Sequence, residues 1–429
     1  MLEYHVAFLL LLVGTEAFFS GLSILNYRYG AATVAARSEW VRDRLGVEDP
    51  DELLGYQRAT TGLSLVRTWV SLGVTLLVLY SGLFADAVDA VAGLGLPPLA
   101  AGVVFFVSLV VLAQVASAPF DLYSTFVVEE LFGFNQQSPR LWLRDKLVGT
   151  AVGAVIAAVV AAAVLFVIGA LPDLWWLAAL ALFVAFSLSM LVIYPRVIAP
   201  LFYDFDPIEE GELAAAVDDV FERAGFTCDQ TYVMDASSRS SHANAYFVGF
   251  GAAKRVVLFD TLVEQTGIEE IKGVLAHELA HWKKSHIWKQ LLSQTVRMGV
   301  VFTLLWWLLD QPFLYEMFGV AETSYAGLLL AVLWISPLLR WTAPLENKLS
   351  LAHEREADSF AIDVMGAGKP LADALADLTS ENLSNPFPHP LYATFHYTHP
   401  PVPERIRYIE EWGGDAAEDG GEAAGGRPA

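Results

Sequence analysis

The sequence predicts a polytopic α-helical membrane protein that carries a mostly helical polar domain with a small β-hairpin. Of its 429 residues, 55% are hydrophobic, and the mean hydropathy is +0.46. Both values lie well above those of soluble globular chains. Seven apolar runs are each long enough to cross the roughly 30 Å of hydrocarbon in a bilayer. Two polar segments, one after the fifth run and one after the seventh, are expected to fold together into one domain.

The apolar runs set the predicted spans and the domain boundaries. Spans are expected near residues 5–25, 68–86, 99–117, 148–171, 174–194, 290–309 and 325–341. Only the turn "LPD" separates the fourth span from the fifth, which predicts a tight helical hairpin. The chain then divides into helices 1–5 (1–195), a first polar part (196–289), helices 6–7 (290–341), a second polar part (342–412) and an acidic Gly/Ala-rich tail expected to be disordered (413–429).

Basic residues alternate between successive loops and so predict the orientation. They are frequent after spans one and three, whereas the segments after spans two, four and six lack them. Because basic loops stay inside, the N-terminus is expected outside, and the polar domain and the C-terminus in the cytoplasm. The predicted location is therefore the cell membrane, with the bilayer as the first partner. The basic residues used are Arg28, Arg37, Arg42, Arg44, Arg58, Arg140, Arg144 and Lys146.

Charge and cysteine content exclude several classes of partner. The formal net charge is -22, with 48 acidic against 26 basic residues, so nucleic acid is excluded as a partner. Such an acidic excess is typical of proteins that work in high salt, where screening removes self-repulsion, and it suggests a halophilic source. Cys228 is the lone cysteine. Any bound metal must therefore be held by histidine and carboxylate.

The stretch "VLAHELAHWKKSH" predicts a metal site on a helix. Thr266 and Glu269 have the spacing of a capping box, and apolar residues continue behind them at helical spacing. His277 and His281, four apart, would project from one helical face and reach a single ion. Glu278 lies beside them, where it could take a proton from water. The alternative is that the motif occurs here by chance.

A third ligand is expected in "NKLSLAHEREADSFAID". Ile287 excludes the pattern with a third histidine ten positions after the first. Glu354 and Asp358 share a helical face; Glu354 could complete the coordination, and Asp358 could accept the outer N–H of a ligand histidine. The segment could equally be a solvated charged helix, and spacing leaves His353 and Glu356 open as rival ligands.

Two further segments are expected near this site. Residues 240–259 read as two short strands joined by a Gly-rich turn, and an exposed first strand could pair with an extended substrate. A hairpin that only covers the domain fits the same pattern. The stretch "HYTHPPVPERI" places two histidines beside a Pro-Pro turn, so this loop is either structural or lends His399 or Tyr397 to the site.

Seven stretches, taken in order, carry a resemblance to a known family: "FDLYSTFVVEELFGFNQQ", "VIAPLFYDFDPIEEGEL", "RSSHANAYFVGF", "RVVLFDTL", "HELAHW", "EREADSFA" and "HYTHPPVPERI". Together they resemble the type 1 CAAX prenyl proteases, which are seven-span zinc metalloproteases. The resemblance covers residues 120–410, and the acidic composition suggests a member from a halophilic archaeon. Leu351 and Arg355 depart from the family pattern.

The resemblance implies a fold and a mechanism. The membrane helices of this chain would enclose a large chamber, and one Zn²⁺ per chain would face that chamber from the cytoplasmic side. His277, His281 and Glu354 would be the zinc ligands and Glu278 the general base, while Asn244 and His399 would steady the reacting carbonyl. The residues expected to bind substrate are His242, Ala243, Asn244, Ala245, Tyr246, Tyr397 and Arg405.

The resemblance leaves the substrate open between two kinds of peptide. One is a C-terminal tripeptide after a prenylated cysteine, and the other is a membrane protein cleared by a general quality-control protease without prenyl specificity. A seven-span transporter or receptor is the non-enzymatic alternative, but it would need polar groups at mid-membrane, and the spans offer few.

Overall fold

The computed structural model describes residues 1–227, 230–248 and 254–422. Cys228, the Gly-rich turn expected between the two strands and the last residues of the acidic tail lie outside this description. The described helices are Leu2–Ala36 (α1), Ser38–Leu45 (α2), Pro50–Tyr80 (α3), Leu83–Ala92 (α4), Pro98–Tyr123 (α5), Pro139–Ala170 (α6), Trp175–Ile193 (α7), Glu212–Arg223 (α8), Asp260–Gln265 (α9), Ile268–Lys283 (α10), His286–Leu309 (α11), Pro312–Glu316 (α12), Ser324–Met365 (α13), Lys369–Glu381 (α14), Pro390–His396 (α15) and Val402–Glu422 (α16).

Seven of the described helices are long and apolar enough to cross a membrane, which confirms the predicted number of spans. The hairpin of spans four and five is also confirmed, since α6 ends at Ala170 and α7 begins at Trp175. Span two differs from the expectation. It ends at Tyr80 rather than near residue 86, because Gly82 takes a left-handed conformation (φ 91°) that starts a separate helix, α4.

Apolar side chains form two main cores, one in the helical bundle and one in the polar domain. The bundle core draws on all seven spans, with residues such as Phe8, Leu165 and Leu330. The core of the polar domain joins α8, α10, α13, α14 and α16, so helices from the two polar segments pack against each other. It also takes Val41 and Leu45 from the connection after span one, which the sequence analysis had assigned to the membrane part.

The polar domain contains a four-stranded mixed sheet. Its strands are Phe205–Pro207 (β1), Thr231–Met234 (β2), Ala245–Val248 (β3) and Arg255–Phe259 (β4). Their order is β1-β2-β4-β3; β2 and β4 are parallel, and both outer pairs are antiparallel. The expected hairpin strands are thus β3 and β4, and β3 is an edge strand of the described sheet.

The longest helix links the bundle to the polar domain. Helix α13 runs unbroken from Ser324 to Met365, through Pro337 and Pro344. The predicted boundary at residues 341/342 therefore falls inside one helix. Glu354 lies 13 positions after Trp341, which places it about 20 Å beyond the expected end of span seven. At the C-terminus, α16 reaches Glu422, past Gly413 where we expected disorder to begin.

Candidate metal centre

Helix α10 carries the His-Glu-x-x-His motif, as predicted, but it begins differently. Gly267 is the N-cap, no side chain caps the helix, and Thr266 instead closes α9. The expected capping box is therefore wrong. Two acidic residues in the first turn favour the helix start through its dipole.

Gly273 allows α14 to pack closely against α10, since a Cβ there would lie 2.9 Å from the backbone nitrogen of Leu371. The motif helix is thus held at the centre of the polar domain.

The three predicted ligands converge in space. One ligand atom from each of His277, His281 and Glu354 lies within 4.8 Å of the other two. The Nε2 atoms of the two histidines are 3.3 Å apart, and each lies 3.4 Å from a carboxylate oxygen of Glu354. Helix α10 supplies the histidines and α13 the glutamate, which stands on the same helix as span seven.

This triad suits a metal ion by the chemistry of its donors. Two imidazole nitrogens and one carboxylate form the ligand set of several catalytic zinc sites, which keep a fourth position open. The Oε2 atom of Glu354 is buried and accepts no well-oriented hydrogen bond among the described residues, although His399 Nδ1 lies 2.6 Å from it. A buried carboxylate oxygen without a proper donor is costly, and a cation would satisfy it.

Asp358 supports His277 from behind. Its Oδ1 lies 2.9 Å from His277 Nδ1, so the expected role is met geometrically and falls to His277 rather than His281. Burial and the Arg405 charge lower the pKa of His277, but the carboxylates of Asp358 and Glu354 beside the ring outweigh them and raise it to about 9. By contrast, burial and then the charge of His277 lower the pKa of His281 to about 4.

Arg405 lies in this support rather than on a substrate path, which corrects its predicted role. Its guanidinium donates to both carboxylate oxygens of Asp358, at 3.0 and 2.6 Å, and Nη2 lies 3.3 Å from His277 Nδ1. Only 7% of Arg405 is exposed. A planar fork of donors matches a carboxylate in this two-bond geometry, which explains why the side chain is directed inward.

Two catalytic candidates border the triad in different ways. Glu278 follows His277 on α10, and burial raises the pKa of its carboxyl, which makes it a better proton acceptor near neutral pH. His399 extends its exposed ring to Glu354, as noted above. Asn244 stands exposed at the start of β3, and its side-chain oxygen accepts a hydrogen bond from the Ala245 N–H. Within the described chain, Asn244 makes no hydrogen bond to the triad.

Most of the remaining residues that were predicted to bind substrate contact other parts of the fold instead. His242 contacts Asn382 through Nδ1 (2.8 Å) and Glu129 through Nε2 (3.5 Å), so its ring joins separate parts of the fold. Ala243 and Ala245 pack into the core of the polar domain, so only their backbone is available to a substrate.

The two predicted tyrosines also lie apart from the triad. Tyr246 packs near Phe259 on the opposite sheet face from Ala245, and burial raises its pKa to about 12. Tyr397 lies beside Tyr392 after α15, and burial likewise raises its pKa to about 12. Neither hydroxyl bonds to the triad in the part of the chain that is described.

His286, the last residue of the motif stretch, belongs to the site although the sequence analysis gave it no role. Its Nδ1 lies 3.1 Å from His281 Nδ1, and its Nε2 lies 3.0 Å from Glu356 Oε2. The ring stacks on His353 with centroids 4.1 Å apart. His353 and Glu356, the rival ligands, therefore surround His286 and not the triad. Spacing alone could not show this, because the contacts join α11 to α13.

A helical membrane bundle joined to a His-Glu-x-x-His helix and a downstream glutamate defines the class of integral-membrane metalloproteases. Comparison with known proteins identifies the family. Residues 36–204 match the family model described as the CAAX prenyl protease N-terminal region with five membrane helices, and residues 207–413 match that of peptidase family M48. The match thus begins well before residue 120, where the resemblance in sequence was expected to start.

Curated relatives and a solved structure agree with these models. The chain is 35% identical over 308 residues to a CAAX prenyl protease 1 homolog of Arabidopsis thaliana, covering 71% of this chain and 72% of the relative. It is 33% identical to CAAX prenyl protease 1 of Saccharomyces cerevisiae, covering 70% of each. The crystal structure of S. mikatae Ste24p superposes with a TM-score of 0.80 at 27% identity, covering 92% of this chain and 99% of that one. The chain belongs to the CAAX prenyl protease 1 family of M48 peptidases and is a membrane metalloprotease.

Proposed function

We infer that the chain is a zinc endopeptidase that removes the C-terminal tripeptide following a prenylated cysteine. The observation that carries this proposal is the convergence of His277, His281 and Glu354 within 4.8 Å, in a chain whose curated relatives are named CAAX prenyl proteases. Alternating basic loops further support an external N-terminus and a cytoplasmic catalytic domain. Peptide substrates would then reach the site from the cytoplasmic side.

The proposed zinc ligands are His277, His281 and Glu354, with Asp358 orienting His277. When bound there, Zn²⁺ would supply a positive charge that polarises a peptide carbonyl and makes a nearby water more acidic. The ligand atoms come from two helices of the folded core, so little rearrangement would be needed on binding.

Glu278 is the proposed proton carrier. The raised pKa of its half-buried carboxyl suits a base that must also release the proton later. Glu278 would take one proton from the attacking water while the water oxygen bonds to the carbonyl carbon. It would pass that proton to the departing amine as the C–N bond breaks. His399, exposed beside the triad, and Asn244 at the start of β3 would donate hydrogen bonds to the carbonyl oxygen.

The substrate backbone is proposed to pair with β3. Phe259 N–H donates to the Asn244 carbonyl (3.1 Å), so the ladder register directs the backbone groups of Asn244 and Tyr246 toward β4. The carbonyl of Ala245 and both backbone groups of Phe247 then point to the open edge. An extended peptide added there would run past Asn244, and its side chains rather than its backbone would determine specificity.

The test uses full-length protein purified in detergent at high salt, the condition that its acidic composition favours. Metal per chain is measured first, in wild type and in Glu278→Gln. Cleavage is then assayed on a farnesylated CAAX peptide and on the same peptide without the farnesyl group. Glu278→Gln is expected to keep the metal and lose at least about a hundredfold in rate, the usual contribution of a general base.

Each outcome decides between the proposed functions. One zinc per chain and cleavage of the farnesylated peptide alone would support the prenyl-directed protease. Cleavage of both peptides at similar rates would replace it with general membrane proteolysis. Absence of bound zinc, or full activity in Glu278→Gln, would overturn the mechanism.

A further inference from the structure

His281 needs a hydrogen-bond acceptor behind it if it is to act as a ligand. Its Nε2 faces His277 and Glu354, so this is the nitrogen that must be free of a proton. A neutral imidazole then carries its proton on Nδ1. Ligand histidines almost always donate that N–H to an acceptor, which fixes the ring and its tautomer. For His277 the acceptor is Asp358, whereas no carboxylate lies at the Nδ1 of His281 among the described residues.

We propose that His286 is the positioning residue for His281, acting as the middle member of a Glu356–His286–His281 relay. His281 Nδ1–H donates to His286 Nδ1 at 3.1 Å. His286 therefore carries its proton on Nε2, which faces Glu356 Oε2 at 3.0 Å. With these tautomers both imidazole rings are neutral. Each N–H in the relay then faces an acceptor, and His281 Nε2 carries no proton and is free to bind the metal. The inference rests on the proposed function, in which His281 binds the metal.

Four features hold the His286 ring in this place. Only 2% of the residue is exposed, and the ring stacks on His353 with an interplanar angle of 12°. Lys289 lies 3.6 Å from the Glu356 carboxylate and helps to hold it. The tight turn between α10 and α11 brings His286 back toward α10, and it does so through Ser285, whose φ of 59° is rare for a residue with a side chain.

Substitutions of His286 separate the relay from simple packing. Asn places its side-chain oxygen near the position of Nδ1, so His286→Asn keeps the acceptor for His281. In His286→Gln the polar atoms lie near the position of Nε2, and the acceptor at Nδ1 is lost. His286→Phe keeps the ring that stacks on His353 but has no polar atom. His5→Asn serves as the matched control, because His5 bonds only the distant Tyr80 hydroxyl among the described side chains.

The readout is zinc affinity, measured on the full-length protein by competition with a chromophoric chelator. Because outer partners of ligand histidines contribute about 10–100-fold to metal affinity, His286→Gln and His286→Phe should lose that amount. His286→Asn should stay within a few-fold of wild type, and His5→Asn should not change. The visible absorption spectrum of the Co²⁺-loaded protein should shift in His286→Gln and remain close to wild type in His286→Asn.

The outcomes distinguish this inference from the proposed function. Wild type that binds no zinc would refute the proposed function, and the relay with it. Wild type that binds zinc, with equal affinity in His286→Gln, would refute the relay alone. Equal losses in Asn, Gln and Phe would also refute it, since a role in packing alone predicts no rescue by Asn. Melting of the metal-free proteins identifies a variant that has failed to fold, and the Co²⁺ spectra of the other variants then decide.

Discussion

The two histidines of the triad are supported in opposite ways. Behind His277, Asp358 is 0% exposed, and its carboxylate forms an ion pair with the buried guanidinium of Arg405. Behind His281 stands a second histidine, His286, whose carboxylate partner Glu356 has half of its side chain exposed. One support is an interior ion pair, and the other ends in solvent.

The difference predicts how each support fails. An interior ion pair is costly to break, because the partner left behind is a buried charge without compensation. A support that ends in solvent loses less, since water can replace the missing group. The His277 side should therefore affect folding and metal binding together, while the His281 side should affect metal binding alone.

Arg405→Ala should give the largest effect. It leaves the Asp358 carboxylate buried without its main partner, which typically costs about 3–5 kcal/mol. Thermal unfolding of the full-length protein in detergent, with metal content measured in parallel, tests this. The matched control is Arg407→Ala on the same helix, whose side chain is 72% exposed; it should change stability by less than about 0.5 kcal/mol. Similar melting temperatures for the two variants would contradict an interior pair.

Glu356→Gln should give a smaller and purely local effect. The amide still accepts from His286 but lacks the charge that strengthens the hydrogen bond. Because the group is half-exposed, zinc affinity should fall by less than about tenfold, the lower end for such partners. Asp363→Asn removes an equal charge from an exposed position on the same helix and should leave affinity unchanged. A loss in Glu356→Gln as large as that in His286→Gln would contradict a purely local effect and mean that His286 orients His281 only while the charged carboxylate holds it.

The sequence predicted those parts of the fold and site that depend on local spacing. The number of spans follows from run length, and the ligand face of α10 follows from the separation of His277 and His281 by one helical turn. Helical spacing also suggested Glu354 and Asp358, but it left His353 and Glu356 open as rival ligands, and the family resemblance favoured Glu354. The continuity of α13 was missed, because the apolar run that set span seven ends near residue 341, whereas the helix continues through polar residues to Met365.

What escaped prediction depends on contacts between distant segments. Arg405 was expected at the substrate, since nothing in the sequence says that α16 packs against α13 and brings it to Asp358. His286 lay inside the motif stretch itself, but its role requires the reversal at Ser285, a residue with no sequence signal for a left-handed turn. The packing of α2 in the core of the polar domain was missed for a similar reason: its apolar residues are too few to indicate which part of the chain they contact.

Ser285→Gly tests whether the relay depends on a strained turn. Glycine adopts a positive φ without the steric penalty of about 1–2 kcal/mol that a residue with a Cβ incurs there, but its greater freedom in the unfolded chain costs about 0.5–1 kcal/mol. The substitution should therefore stabilise the protein by at most about 1 kcal/mol. Zinc affinity should not change, because His286 keeps its position. Thermal unfolding measures the stability and the chelator competition measures the zinc affinity. A loss of affinity without a loss of stability would show that the serine side chain itself holds the turn.

His242 offers the smallest predicted effect and a comparison with the buried site. A hydrogen bond with Glu129 raises the pKa of His242 against the effect of burial, and Asn382 adds to the rise. Because the folded-state pKa lies above the ordinary value of 6.5, the stabilisation is fully present below that value and is lost as pH rises through the folded-state pKa. The ring is one-third exposed, so the effect should stay below about 1 kcal/mol.

Melting temperatures of zinc-loaded wild type and His242→Gln, measured from about pH 5.5 to about pH 8.5, should converge at the alkaline end. The ring of His5 bonds the Tyr80 hydroxyl and, among the described residues, no carboxylate, so the melting temperatures of His5→Gln should run parallel to those of wild type throughout. A constant difference between His242→Gln and wild type would mean that the ring contributes by packing on Phe134, at 4.2 Å, and not by its charge.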